Sequence, residues 1–455
     1  MKTKYFGTSG IRGIVEKDLT PEFAIKIGLS YSRFLENDGN IALGSDQRYG
    51  SRVIKHSIIS GLILGGINVI DLGIIPTPAL CHYIKEFKID GGIMITGSHT
   101  PPEITGIMFF QNDTGELRPK NEEKIEEIII KEKYVRVPWN EIGKIEKDDN
   151  AIEIYIKNVL KNFGKKISLN EKIAIDCCNS PQSYALPRII EEINSIPIIL
   201  NGEIDGKFPG RDPYPRPENL GELCNIVKKE KAILGLACDG DGDRAIFIDE
   251  NGNVLWGDIT GAIFSEEELK KHNGGTIVCP INTSKIIEDI ANKFNGKIIF
   301  TKVGPPAIIE QVVNNIDKVV FAFEETGKYI WKENILYGDP CYSLLKIIDI
   351  INSKGYLSEI VKSYAKYYRK KIALPIKEKD RKRILNEIEK KIIKKTKYLK
   401  IDKLDGFKIY LNEDTWILLR PSGTEPVFRI YIEGKDEKEI EKILEEYIEK
   451  IKRII

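Results

Sequence analysis

Long apolar runs are missing from this sequence. No stretch of about 18 consecutive apolar residues occurs, so no membrane span is expected. Charge of one sign is missing too. The 69 Lys and Arg residues are balanced by 68 Asp and Glu, leaving a formal net charge of +1. The basic residues are spread along the chain, which removes the electrostatic case for a nucleic-acid partner or an anionic membrane surface. The seven cysteines are odd in number and irregularly spaced. Cys177 and Cys178 adjoin, but no C-x-x-C pair exists, so neither a zinc site nor a disulfide framework is indicated. No G-x-x-x-x-G-K-[ST] stretch offers a Walker-type nucleotide site. Residues 1–5 lead straight into a glycine-rich motif and leave no room for a signal peptide, so a reducing cytoplasm is the expected compartment. Glutamine occurs only at positions 47, 111, 182 and 311, while Ile, Lys and Glu abound. That balance resembles heat-adapted proteins, and an AT-rich genome produces it as well.

What is present is a soluble globular chain, 42% hydrophobic and 30% charged, whose 455 residues are too many for one core. Strand and helix patterns alternate from the start. A helix is predicted over residues 21–36, with Thr20 as N-cap and Pro21 at the first helical position. Strands at 41–44, 68–72 and 93–95 interleave with helices at 52–64 and 78–87, and a charged helix at 122–133 closes the unit. The polar stretch 144–150 marks the first boundary. The pattern restarts twice, near residues 150 and 252. It changes character near Lys371, where a lysine-rich helix is followed by three short strands and an amphipathic helix. The expected fold is three similar α/β domains with mixed, mostly parallel sheets (residues 1–148, 149–251 and 252–370). A smaller α+β domain with an antiparallel sheet (371–455) completes it.

Five loops carry chemistry. In GGIMITGSHTPP (91–102) a buried strand ends in Thr96-Gly97-Ser98-His99, and Pro101 and Pro102 stop the backbone from continuing as sheet or helix. Ligands gather at the carboxyl ends of strands in open α/β sheets. Taken alone, the plainer reading is a loop serine beside a surface histidine. The stretch DGDGDR (239–244) reverses it. Asp239, Asp241 and Asp243 repel one another unless a cation joins them, and a hard divalent ion is the natural partner. An EF-hand matches this register at several positions, but Arg244 stands where the tight turn needs Gly, and the flanks read as strands. RPSGTEP (420–426), followed by Arg429, suits a phosphate nest. EETGK (324–328) suits sugar hydroxyls, and FGTSGIRG (6–13) reads as an anion-contacting loop with Arg12.

These motifs, with TGSHTPPEITGI, CDGDGDR, FEETGK and RPSGTEPVFRIYIE in this order, resemble the α-D-phosphohexomutase family, the phosphoglucomutase/phosphomannomutase group, in its archaeal form. The resemblance covers essentially the whole chain. It implies four domains around a central cleft and a phosphoserine at Ser98. It implies Mg²⁺ on Asp239, Asp241 and Asp243, with the phosphoserine bridged to the metal. Sugar would be read at Glu324 and Thr326, with Lys328 in the same loop, and the distal phosphate held by Arg420, Ser422, Gly423, Thr424 and Arg429. Arg12 and Arg244 would neutralise the transferring group, and His99 is the candidate for proton transfer.

The implied reaction interconverts hexose 1-phosphate and hexose 6-phosphate, with glucose or mannose as the sugar, through a 1,6-bisphosphate. A glucose 1,6-bisphosphate-type activator is expected, and the protein would be a monomer or homodimer. Phosphoglucosamine mutase and phosphopentomutase activities are alternatives within the family. A non-catalytic sugar-phosphate binder is an alternative outside it. Three departures stand out. Gly97 and Thr100 replace the usual Ala and Asn of the serine loop. Met108 occupies a place where the family often has lysine, for which His99, Lys328 or Lys302 could substitute. Phe323 and Lys328 replace the usual Gly and His around the sugar loop.

Overall fold

The computed structural model describes residues 4–422 and 426–455. Three α/β units share one plan. In the first, β2 (Asn40–Ser45), β3 (Asn68–Ile74), β4 (Gly91–Ile95) and β6 (Ile145–Lys147) run parallel, β5 (Ile104–Gln111) returns antiparallel on β4, and β1 (Ile11–Ile14) pairs antiparallel on β5, in the order β1-β5-β4-β2-β3-β6. In the second, β7 (Lys172–Asp176), β8 (Ile196–Leu200) and β9 (Leu234–Ala237) are parallel. The short β10 (Ile246–Ile248) and β11 (Val254–Leu255) pair antiparallel at one edge. In the third, β12 (Gly275–Pro280), β13 (Gly296–Thr301) and β14 (Val319–Glu324) are parallel, and β15 (Lys328–Ile330) returns antiparallel on β14. The fourth unit is a wholly antiparallel sheet in the order β16-β20-β19-β18-β17. Its strands are β16 (Tyr368–Pro375), β17 (Lys400–Asp402), β18 (Phe407–Tyr410), β19 (Trp416–Pro421) and β20 (Val427–Gly434).

The strands that carry the motifs, β4, β9 and β14, are buried at every residue. Helices cover both faces of such parallel strands, so they read as continuous apolar runs rather than alternating ones. One hydrophobic core runs through the first three units. It joins Leu80 and Ile84 of the helix Thr77–Phe87, Tyr155 and Val159 of Ala151–Phe163, and Leu344 and Ile348 of Pro340–Lys354. At this junction Asp339 accepts from Tyr155 (2.7 Å) and Asn334 (2.7 Å) and lies 3.0 Å from His82 Nε2. The fourth sheet packs on its own core, built from Ile384, Ile409, Phe428, Ile430, Ile440 and their neighbours. Among the described residues no helix is long and apolar enough to cross a membrane.

Several elements differ from expectation. Residues 11–13, read as loop, begin β1. Residues 145–147, read as a boundary, form β6 on the edge of the first sheet. The prolines at 101 and 102 do not end the sheet: the chain reverses and re-enters it as β5. The helix Pro305–Asn314 and the strands β15 and β16 have no counterpart in the sequence reading.

Candidate active site

Four of the five motifs sit where a strand turns into its antiparallel return: Ser98 between β4 and β5, the aspartates between β9 and β10, Glu324 to Lys328 at the β14–β15 turn, and Ser422 between β19 and β20, while Arg12 lies in β1. Such a turn lies at the end of the sheet, where side chains project beyond the core.

Ser98 is buried and has a left-handed backbone (φ 51°), a costly conformation for a residue with a Cβ. The surroundings hold it there. Its N–H donates to Thr96 Oγ1 (2.7 Å), and the Gly97 N–H donates to Asp46 Oδ2 (3.0 Å). Arg48 is fully buried, and its guanidinium donates to the carbonyls of Ser98 (2.6 Å), Thr100 (2.7 Å), Ile104 (3.0 Å) and Pro101, while Nε pairs with Asp46 at 3.0 Å. A Cβ on Gly97 would lie 2.6 Å from Arg48 Cζ and 2.2 Å from the Ile104 carbonyl oxygen, so glycine is what lets Arg48 enter the loop.

The serine and aspartate loops meet. Ser98 Oγ donates to Asp239 Oδ2 at 3.1 Å, across 141 residues of sequence. Gly240 makes the approach possible, because a Cβ there would sit 2.5 Å from the Ser98 carbonyl oxygen. One oxygen from each of Asp239, Asp241 and Asp243 lies within 4.8 Å of the others, and all three residues are buried. Asp239 Oδ1 accepts from the backbone N–H groups of Asp243 (3.1 Å) and Arg244 (3.3 Å), and Asp241 Oδ2 accepts from Thr77 Oγ1 (2.7 Å). Oδ1 of Asp241 and Oδ1 of Asp243 are buried without a hydrogen-bond partner. Burial first, and then the neighbouring carboxylates, push Asp239 up and Asp241 well up from the ordinary range. Two orphaned anionic oxygens in a cluster that resists ionising fit a hard divalent cation.

Positive groups ring the triad. Arg244 Nε is 3.3 Å from Asp239 Oδ2, its Nη2 reaches His99 Nδ1 at 2.8 Å, and its guanidinium lies over the Tyr214 ring at 5.2 Å. His99 Nδ1 is also 3.3 Å from Ser98 Oγ. Burial, then Arg244 and Arg12, hold His99 well below its ordinary value, so it is neutral with Nδ1 as acceptor. Lys328 Nζ is 2.8 Å from Asp243 Oδ2 and 2.5 Å from Tyr337 Oη, and Tyr337 itself donates to Asp243 Oδ2 at 2.9 Å. Arg12 Nη2 is 3.9 Å from Met108 Sδ, and its buried Nε has no hydrogen-bond partner.

Glu324 ends β14, is buried, and accepts from Thr326 Oγ1 at 3.3 Å. Arg420 Nη2 pairs with Asp405 at 3.0 Å. Arg429 stands opposite Arg420 in the β19–β20 ladder, and the Ser422 N–H closes the turn onto the Val427 carbonyl at 2.8 Å. Gly423 and Thr424 lie outside the described residues. Lys302 is exposed on the loop after β13. Arg48, Tyr214 and Tyr337 were not singled out in the sequence. The signal for Arg48 was available: Ser45-Asp-Gln-Arg48 leaves the end of a buried parallel strand beside β4.

Four family models cover nearly the whole chain: phosphoglucomutase/phosphomannomutase alpha/beta/alpha domains I, II and III at residues 3–136, 153–252 and 256–368, and the C-terminal domain at 372–450. The chain belongs to the phosphoglucomutase/phosphomannomutase family. It is 36% identical over 450 residues to a phosphoglucomutase/phosphomannomutase of Thermococcus kodakarensis, covering 97% of both chains. It is 35% identical over 459 residues to a phosphoglucosamine mutase of Methanococcus aeolicus, covering 99% of this chain and 98% of the relative. It is 34% identical over 456 residues to a phosphopentomutase of Thermococcus kodakarensis, again covering 99% and 98%. As a family member the chain is a sugar-phosphate mutase of four domains. Two departures from the family pattern have local explanations here. Gly97 makes room for Arg48. The Met108 thioether packs against Arg12, while the buried ammonium beside the aspartates comes from Lys328 on another strand.

Proposed function

We propose that this enzyme interconverts the 1- and 6-phosphates of a hexose, glucose or mannose, through a phosphorylated Ser98 and a bound 1,6-bisphosphate. What supports the reading is one contact: Ser98 Oγ on Asp239 Oδ2 at 3.1 Å, inside a buried ring of three carboxylates, Arg244, His99 and Lys328. Asp239, Asp241 and Asp243 would hold Mg²⁺, which when bound draws charge from the phosphoryl oxygens.

The chain's own groups do the rest. Arg244 and Arg12 neutralise the phosphoryl group as its bond to Ser98 Oγ breaks and its bond to the sugar oxygen forms. As Arg244 turns from His99 to the phosphoryl group, the Nδ1 lone pair it releases takes the proton of that sugar hydroxyl. A base this weak suits a loose transition state, in which the hydroxyl loses its proton late. Glu324 and Thr326 face the sugar, while Lys328 of the same loop sets the charge beside Asp243. Arg420, Ser422, Gly423, Thr424 and Arg429 grip the far phosphate, so that remote binding positions the reacting end. The bisphosphate then turns over and its other phosphate returns to Ser98. A bisphosphate activator restores enzyme that has lost its phosphate.

The test is intact-mass spectrometry after incubation with glucose 1,6-bisphosphate and Mg²⁺. The wild type should gain one phosphoryl group on Ser98 and then transfer it to hexose phosphate. A protein never phosphorylated there overturns the scheme. The glucosamine and pentose relatives support a second reading, in which the same chemistry acts on glucosamine or pentose phosphates. Turnover of glucose-1-, mannose-1-, glucosamine-1- and ribose-1-phosphate separates these. A non-catalytic sugar-phosphate binder is favoured only by Met108, and it predicts binding without turnover.

A further inference from the structure

Arg369 stands second in β16, the strand that opens the fourth sheet, yet its guanidinium grips the third unit. One terminal nitrogen pairs with Asp258 in the first turn of the helix Gly257–Lys271. The other pairs with Glu325 Oε2 at 2.5 Å and donates to the Asn282 carbonyl. Asn282 Nδ2 donates to Glu325 Oε1 at 2.8 Å, so both carboxylate oxygens of Glu325 are held. The helix start presses on the same residue from another side, since a Cβ on Gly257 would lie 2.1 Å from the Glu325 carbonyl oxygen. Glu325 is flanked by Glu324 and Thr326.

The same strand leads to the far end of the cleft. β16 pairs with β20 along its whole length. Arg369 faces Glu433, and Ala373 faces Arg429, which in turn faces Arg420 on β19. The four steps from Arg369 to Ala373 span about 13 Å of continuous ladder. A second strap runs beside it: Glu433 Oε1 accepts from Trp416 Nε1 (2.9 Å) and from the Lys285 N–H (2.7 Å) of the third unit. The loop at 324–328 is therefore joined to the arginines of the fourth sheet through the Arg369 guanidinium and the β16–β20 strand pair, beside the Glu433 strap and an apolar contact of Ile281 with Trp416, Leu418 and Tyr431.

We propose that Arg369 is a positioning residue that sets the span between the 324–328 loop and the phosphate-gripping arginines, and so selects the length of sugar phosphate the cleft accepts. The proposal rests on the reading above, in which the sugar lies at 324–328 and the distal phosphate at Arg420 and Arg429. A sugar one carbon shorter or longer moves its reacting oxygen by about 1 Å or more, a misplacement that costs on the order of a hundredfold in rate. That selectivity needs the two ends of the cleft to be held at one separation. Glu325→Gln and Arg369→Lys both weaken the link. Lysine keeps the charge but, as a point donor, cannot hold two carboxylates and a carbonyl in one plane.

The experiment measures kcat and KM for glucose 1-phosphate and ribose 1-phosphate in the wild type, Arg369→Lys, Arg369→Met and Glu325→Gln. Mg²⁺-dependent melting temperatures are recorded alongside. The expected result is that the ratio of kcat/KM between the two sugars shrinks at least about tenfold in Arg369→Met. Most of the change should lie in kcat for the preferred sugar, with Arg369→Lys intermediate. Ratios unchanged in all three variants overturn the proposal. So does an equal loss for both sugars that tracks a lowered melting temperature, because that is a purely structural effect. A wild type that turns over no sugar phosphate overturns the function above and this role with it. An active wild type with unaltered variants overturns this role alone.

Discussion

Replacing Lys328 with Met should tighten Mg²⁺ binding and weaken the metal-free protein. The three carboxylate oxygens lie within 4.8 Å of one another. At an effective dielectric near 20, each pair of charges at that distance repels by about 3.5 kcal/mol, or about 10 kcal/mol for the three pairs. Two cations oppose this. On the same scale Lys328 to Asp243 at 2.8 Å contributes about 6 kcal/mol of attraction, and Arg244 to Asp239 at 3.3 Å and to Asp243 at 4.0 Å about 5 and 4 kcal/mol. The two cations together offset the repulsion of the metal-free site, and Lys328 supplies about two-fifths of that attraction. Burial works against its ammonium, but Asp243 and Glu116 outweigh the loss and hold it above its ordinary value. Without it the triad must take up a proton or a cation. If only a quarter of the lost attraction survives relaxation, the Mg²⁺ dissociation constant falls about tenfold. Melting curves with chelator and over a Mg²⁺ series measure this, because a ligand of the native state adds stability as the logarithm of its concentration over Kd. The variant should melt below the wild type in chelator, and the gap should narrow or invert at saturating Mg²⁺. A gap of constant size at every Mg²⁺ concentration refutes the charge balance.

Ser98→Ala should abolish phosphoryl uptake while leaving Mg²⁺-dependent melting in place. Mass spectrometry and melting curves read the two separately. Gly97→Ala should destabilise by about 2 kcal/mol or more, since its methyl meets Arg48 and a backbone carbonyl, neither of which is free to move. Denaturant titration measures this. Burial, then Glu116 and Glu126, push the Glu122 carboxyl up to about 8. The folded state therefore holds a proton that the unfolded chain releases from about pH 4.5 upward, and this contribution to stability is lost as pH rises through about 8. Glu122→Gln should flatten that slope and gain a few kcal/mol at pH 8.5, read from denaturant midpoints across pH.

The parallel half of each unit was legible because its central strands are buried apolar runs and its helices keep an apolar face at helical spacing. The helix after Thr20 begins at Pro21, and the Thr20 side chain accepts from the Phe23 N–H as expected. The antiparallel returns were not legible in the same way. β5 follows two prolines, which sequence rules read as a terminator. β15 is three residues long and opens on Lys328, a residue type that reads as solvent-facing. Hence Lys328 was read as part of a sugar loop, while its side chain packs against Asp243 and Tyr337. The aspartate cluster was legible because three like charges in five residues need an external cause. Arg48 and Tyr337 were not, since each acts through contacts whose partners are remote in sequence: Arg48 across 50 residues to Ser98, Tyr337 across 94 to Asp243.

The distribution of cores matches the chemical task. In the proposed scheme a bisphosphate presents first one end and then the other to Ser98, which asks two things of the protein. The reacting group, the metal ligands and the charge around them must stay fixed at one place, because transfer tolerates little misplacement. One continuous core through the first three units does this, and His82, Tyr155 and Asp339, one from each unit, bond at its centre. The remote grip must instead engage either phosphate and let go between the two transfers. A sheet with its own core, joined to the rest through Arg369, Glu433 and the Asp405 contact with the Val303 N–H, meets that need. Beside these polar links lies only a small apolar contact, Ile281 against Trp416, Leu418 and Tyr431, far smaller than the core that runs through the first three units. The polar junction on which substrate length is proposed to depend is therefore also where the molecule is best able to open.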